Sequence, residues 1–283
     1  MQAVRQPVKQ AVTRDPFSDT VNSALWQEQA EADDPFSAAV CRAAGYDVYG
    51  DLLGKAGYID YLYLLFRGQA PSRTESRALE VLAIALANPG PRDASVHAAM
   101  ATGASGTPAA ASLIAALAPG AGSHGGAREV LLAMQAFERH GCDLAAWRAA
   151  LAAPEAPTRS GVWPHPEHHP GFAPYGVTCT TPVRQTLALL ASLLDGSRLA
   201  WLARERNELE AAAGLPLAMT GVTAAALADL GFDAAGGEML TLMLRLPGAA
   251  VHALEQQRLG FRQFPFFSLA LQNDPAHPFQ DAA

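Results

Sequence analysis

The sequence has almost no lysine. Of its 20 basic residues only Lys9 and Lys55 are lysines, no basic run occurs, and the net charge over 283 residues is −7. A nucleic-acid binder neutralises phosphates with clustered cations, so this balance excludes a nucleic-acid partner. Cysteine is scarce as well. Cys41, Cys142 and Cys179 form no CxxC pair, and the N-terminus lacks a signal-peptide pattern, which points to a reducing, cytoplasmic setting. No apolar run reaches the roughly 18 residues of a membrane span, because glycine, proline or charge interrupts each Ala/Leu stretch. Period-two strand patterns are nearly missing. With 50% hydrophobic and 17% charged residues, the expectation is a soluble globular protein with a substantial core.

What is present is helical. From residue 37 onward Ala, Leu, Arg and Glu dominate, with apolar residues recurring at three- and four-residue spacing. Ser72 and Glu75 form a capping box that starts a helix running to about Asn88. Thr107-Pro108 and Thr181-Pro182 each place a hydroxyl cap before a proline at the first helical position. Further helices are expected at about 58–67, 94–103, 125–139 (stopped by Gly141), 143–153 (capped by Asp143), 197–213, 221–230, 234–245 and 247–259. The first 35 residues are polar and expected to be mobile. The repeated phrase Asp15-Pro16-Phe17-Ser18 and Asp34-Pro35-Phe36-Ser37 is read as turn or helix-start chemistry. Residues 154–179 break the helical pattern with six prolines between Pro154 and Pro174. Their aromatics Trp163, Phe172 and Tyr175 suggest an ordered loop that lines a site.

Three places could carry chemistry. Gly122-Ser123-His124-Gly125-Gly126-Ala127 sets a histidine beside glycines that let the backbone approach a ligand, just before a helix whose N-terminal field favours a neutral imidazole. Such a ring can donate to a developing oxyanion; an ordinary polar helix cap is the alternative. His165, Glu167, His168 and His169 have metal-ligand chemistry, but the neighbouring prolines hold that stretch extended and spread the side chains apart, which favours a solvated or substrate-facing loop over a metal site. Arg245 lies in the apolar stretch Met243-Leu244-Arg245-Leu246-Pro247, so its charge must meet either a carboxylate ligand or an internal acid such as Glu238. His97 and His140 are read as helix-surface or helix-end residues.

Taken in order, four phrases resemble the citrate synthase family, especially its short bacterial members of citryl-CoA lyase type. They are Gly45-Tyr46-Asp47-Val48-Tyr49-Gly50 with Tyr63-Leu64-Leu65-Phe66-Arg67-Gly68-Gln69-Ala70-Pro71; His124-Gly125-Gly126-Ala127, similar to the HGGA motif; Pro170-Gly171-Phe172, similar to the start of the GFGH loop; and Leu244-Arg245 through Gly248 with Val251-His252-Ala253-Leu254-Glu255. The resemblance covers most of residues 37–270. It implies an all-α two-domain fold, with a large domain of residues 36–127 and 235–283 and an inserted small CoA-binding domain of residues 128–234. It also implies a homodimer that acts on an acyl-CoA and a small carboxylic acid, with CoA as substrate and with no separate cofactor or metal.

By the same resemblance His124 stabilises the thioester enolate, Arg245 binds a substrate carboxylate, and Arg262 matches an arginine offered across the dimer. Gly171, Phe172, Tyr175, Thr178 and Arg184 belong to the substrate and CoA loop. Two positions depart from the pattern: Pro174 stands where the second catalytic histidine belongs and Thr220 where the catalytic aspartate belongs. His168 or His169 could replace the histidine, and Asp229 or Asp233 the aspartate. Two functions follow as expectations. One is C–C cleavage or formation beside a thioester carbonyl, as in citryl-CoA to acetyl-CoA plus oxaloacetate. The other is a catalytically degenerate homologue that binds acyl-CoA or a partner without turnover.

Overall fold

The computed structural model describes residues 23–152 and 168–265. Ten α-helices run through these residues: α1 Tyr58–Arg67, α2 Arg73–Ala87, α3 Ala94–Ala104, α4 Ala109–Gly120, α5 Ala127–His140, α6 Leu144–Ala152, α7 Thr181–Leu193, α8 Arg198–Ala213, α9 Met219–Asp229 and α10 Ala234–Leu259. Among the described residues the fold is all-α apart from one small antiparallel sheet, β1 Trp26–Ala30, β2 Ala38–Ala43 and β3 Tyr46–Asp47, in the order β1-β2-β3. Part of the N-terminal stretch expected to be mobile is therefore strand. Every residue of β1 is exposed, so the strand is held by its ladder to β2 rather than by a buried face, and a period-two reading had no apolar alternation to find. Asp34 accepts from the Phe36 N–H and the Ser37 hydroxyl, which is the turn chemistry expected of that phrase; its twin at Asp15 lies outside the described residues.

Two of the four helix-start caps read from the sequence have the expected chemistry. Ser72 accepts from the Glu75 N–H while the Glu75 carboxylate accepts from the Ser72 N–H, and Asp143 takes the Ala145 and Ala146 N–H groups at the head of α6. Three boundaries differ. Thr180 is the residue before α7, so Thr181 and Pro182 are its first two residues, and the Thr181 hydroxyl instead accepts from Arg184. The Thr107 hydroxyl donates back to the Thr102 carbonyl at the end of α3 rather than capping α4. The two helices expected at 234–245 and 247–259 are one, α10, which runs through Pro247; the proline removes the bond to the Met243 carbonyl, yet the flanking turns keep the helix going.

The chain divides into two compact units, one of residues 1–88 and 120–245, the other of 89–119 and 246–283. In the first unit α9 is buried on every side from Thr220 to Leu227, and α2, α5, α7 and α8 all pack against it. Its sequence of alanine, glycine and threonine explains this, since small side chains admit several neighbours at close range. Leu79, Leu82, Met134, Leu190, Leu199 and Leu240 fill the core around it. The second unit has a thinner core of Ala99, Ala116, Ala249 and Ala253. Among the described residues no helix is long and apolar enough to cross a membrane.

The capping box of α2 is tied to the core, because Glu75 also accepts from the buried Tyr63 hydroxyl at 2.8 Å. Ser72→Ala is expected to lower stability by about 1 kcal/mol, and Glu75→Ala by more because it removes both bonds, as urea titrations would show.

Candidate active site

The loop ahead of α5 is fixed by close backbone approach. A Cβ on Gly126 would collide with the backbone of Gly120 and Gly122, so only glycine fits there. The turn carries His124 outward as an exposed side chain. Arg245, on α10, donates through Nη1 to the Gly125 carbonyl at 2.7 Å. Two residues 120 positions apart are thus joined in one loop, while the suggested Glu238 pairs with Arg128 at 3.0 Å.

Opposite this loop, residues 168–173 pack on the start of α9. Gly171 has φ +93°, and any side chain there would press on Gly221. Its carbonyl accepts from Ala218 and the Ala173 N–H donates to Pro216, with Phe172 and Leu217 bridged between them. This anchorage buries the side chain of His168 to 1% exposure and sets its ring 5.4 Å, centre to centre, from that of His124. His168, reached from the sequence as a substitute for the histidine missing at Pro174, is therefore beside His124. His169 is half-buried on the adjacent turn.

Between these segments lies a buried carboxylate that was not singled out from the sequence. Glu129, 1% exposed on the first turn of α5, accepts from the Gly125 N–H (2.5 Å), the Gly171 N–H (3.0 Å) and the Thr220 hydroxyl (2.6 Å). His168 Nε2 stands 3.4 Å from its Oε2. Burial alone would raise its pKa; the nearby His168 ring and the hydrogen bonds from Thr220, Gly125 and Gly171 outweigh burial and hold the carboxyl below the ordinary glutamate range. The sequence did contain a signal. Glu129 sits four residues before Ala133 and eight before Phe137, on the stripe α5 buries, where a charge must find partners.

The other candidates are placed elsewhere in the chain. Asp229 accepts from the Arg198 and Leu199 N–H groups and pairs with the Arg198 side chain, so it caps α8. Asp233 accepts from the Gly236 N–H at the head of α10. Neither is brought to Thr220, whose hydroxyl is turned to Glu129 instead. Arg184 is engaged with the Cys179 carbonyl and the Thr181 hydroxyl. Phe172 is buried, Pro174 half-buried, and Tyr175 and Thr178 exposed. Arg262 belongs to the second unit, on the exposed 3₁₀ turn Phe261–Gln263. His140 packs edge-on against Trp147, and His97 lies against Phe264. His165, Glu167 and Trp163 lie outside the described residues, among which no three His, Cys, Asp or Glu side chains are gathered as a metal would need.

No family model and no curated relative matches the sequence. Solved structures do. Citryl-CoA lyase from Hydrogenobacter thermophilus superposes over 90% of this chain and 98% of its own, with a TM-score of 0.64 and 19% identity. The chain has the citrate synthase-like fold. ATP citrate lyase from Methanothrix soehngenii, solved with citrate and coenzyme A, matches 96% of the chain at TM-score 0.66 and 17% identity. The D541A mutant of Methanosaeta concilii ATP citrate lyase, in complex with (3S)-citryl-CoA, matches 98% at 0.66 and 16%. This chain spans about half the length of those two, 47% of each.

The depressed ionisation of Glu129 has a consequence for stability. On acidification an unfolded glutamate takes up its proton near 4.5, before the folded one does. The contribution of Glu129 is thus complete above that value and is lost as pH falls through the lower folded value. Urea titrations from pH 7 downward should find the wild type losing more stability than Glu129→Gln in that acid window; equal losses would exclude Glu129 as the group responsible.

Proposed function

We propose that this chain is a CoA-thioester enzyme that cleaves or forms a C–C bond next to the thioester carbonyl, with citryl-CoA cleavage to acetyl-CoA and oxaloacetate as the reference reaction. The observation that carries this is the pairing of exposed His124 with buried His168, on a loop that Arg245 also grips, within the citrate synthase-like fold. In the cleavage direction His168 takes the proton from the substrate hydroxyl. The C–C bonding pair moves onto the thioester as an enolate, whose oxygen accepts a hydrogen bond from His124, and a keto acid departs. The proton held by His168 ends on the new methyl carbon, so the step balances without a further reactant. Arg245 lies where a guanidinium fork can meet a substrate carboxylate.

Acyl-CoA and a small carboxylic acid are accordingly the partners, with no separate cofactor. A homodimer forms part of the same proposal. It is supported by apolar side chains left exposed on the second unit, Ile114 at 67%, Val251 at 54% and Leu254 at 54%.

A coupled assay for acetyl-CoA and oxaloacetate released from citryl-CoA tests the proposal. Wild type should turn over, His124→Ala should lose about 10²- to 10³-fold in kcat, and His168→Ala about 10²- to 10⁴-fold. A folded wild type that binds CoA without releasing product would favour the catalytically degenerate homologue, for which Pro174 and Thr220 already speak. Equilibrium sedimentation checks the dimer: Ile114→Glu with Leu254→Glu should shift it to monomer.

A further inference from the structure

His168 is an unusual residue in this fold. Its side chain is 1% exposed; among the described residues neither ring nitrogen makes a hydrogen bond of good geometry, and Nε2 has only the longer 3.4 Å contact with Glu129. A buried polar ring without partners carries a desolvation cost that most native structures avoid. Its two nitrogens nevertheless face different surroundings. Nε2 stands 3.4 Å from Oε2 of a carboxylate that already accepts from the Gly125 and Gly171 N–H groups and the Thr220 hydroxyl. A bare nitrogen lone pair turned toward that anion would be repelled, so the proton of the neutral ring belongs on Nε2, and Nδ1 is left as a buried acceptor with no partner among the described residues. The ring of His124 lies 5.4 Å away, centre to centre.

We infer that Glu129 is a positioning residue that fixes the Nε2–H tautomer of His168, leaving Nδ1 as the proton acceptor, and that it stabilises the imidazolium formed when Nδ1 takes a proton. A carboxylate behind a histidine performs both tasks in hydrolytic triads, where loss of its charge selects the wrong tautomer. The charged groups placed around the ring are consistent with this role: Glu129 from α5 is the anion in contact, His124 comes from the loop before α5, and α9 offers the neutral Thr220 hydroxyl, which binds Glu129 Oε1 and leaves Oε2 toward His168. Glu129 is also held in place without help from substrate. Its backbone donors at Gly125 and Gly171 belong to the two segments that carry the two histidines, so the carboxylate sets the distance between them.

The kinetic arm of the test rests on the proposed lyase activity; the spectroscopic arm does not. With citryl-CoA as the probe, Glu129→Gln should lose about 10²- to 10⁴-fold in kcat with little change in KM, and should cost nothing more when added to His168→Ala. An equal loss in both backgrounds would mean that Glu129 acts structurally and would overturn the inference. Independently, long-range ¹H–¹⁵N spectra of the full-length protein, at a pH that keeps imidazoles neutral, should show His168 with the proton on Nε2 and a bare Nδ1. In Glu129→Gln the amide N–H₂ can donate to Nε2, and the tautomer should invert. A wild-type His168 protonated on Nδ1 overturns the proposal even if the variant fails to fold. The expected tautomer in a protein that leaves citryl-CoA untouched would keep the dyad and remove the lyase activity.

Discussion

The carboxylate of Glu129 is the constraint on which the first unit is organised around its candidate site. A buried anion is tolerated only when its lone pairs are met, and the donors here come from three separate parts of the chain: the loop before α5, the segment at 168–171 and the start of α9. None of these segments can shift without leaving a buried charge exposed to an apolar interior. The same carboxylate therefore supports the fold and fixes where His124 and His168 stand.

Two positions that differ from the pattern of the family the sequence resembles take on a different meaning in this light. Thr220 stands where the resemblance expects a carboxylate, and its hydroxyl binds one supplied from α5. Pro174 removes an imidazole from the 171–175 turn, while His168, six residues earlier on the same stretch, brings another to the flank of His124. Under the proposed function the chemistry would be rebuilt from neighbouring backbone positions. The fold survives such exchanges because its helices are placed by core packing, which depends on size and shape rather than on the identity of the polar groups at the site.

Small residues do most of that placement. Alanine, glycine and threonine along α9 let four helices crowd one central rod, and Gly171 against Gly221 brings the histidine-bearing turn within contact of it. In the second unit the same device, alanine facing alanine, leaves larger side chains such as Ile114 and Leu254 outside.

Much of this architecture was legible in the sequence. Helix identity and most boundaries followed from local causes, namely apolar spacing, the Ser72 and Glu75 box, Asp143 and Gly141, because capping and propensity act within a few residues. The tight glycine turn before α5 was legible for the same reason, since its glycines are contiguous in sequence. The exposed strand β1, the continuity of α10 through Pro247 and the division into units were not, since each depends on pairing or packing with distant segments. Glu129 marks the limit most clearly. In sequence it is one acid in a helical first turn; only the folded chain brings Gly171, Thr220 and His168 around it, from 39 to 91 residues away, and long-range hydrogen bonding leaves no mark on local pattern.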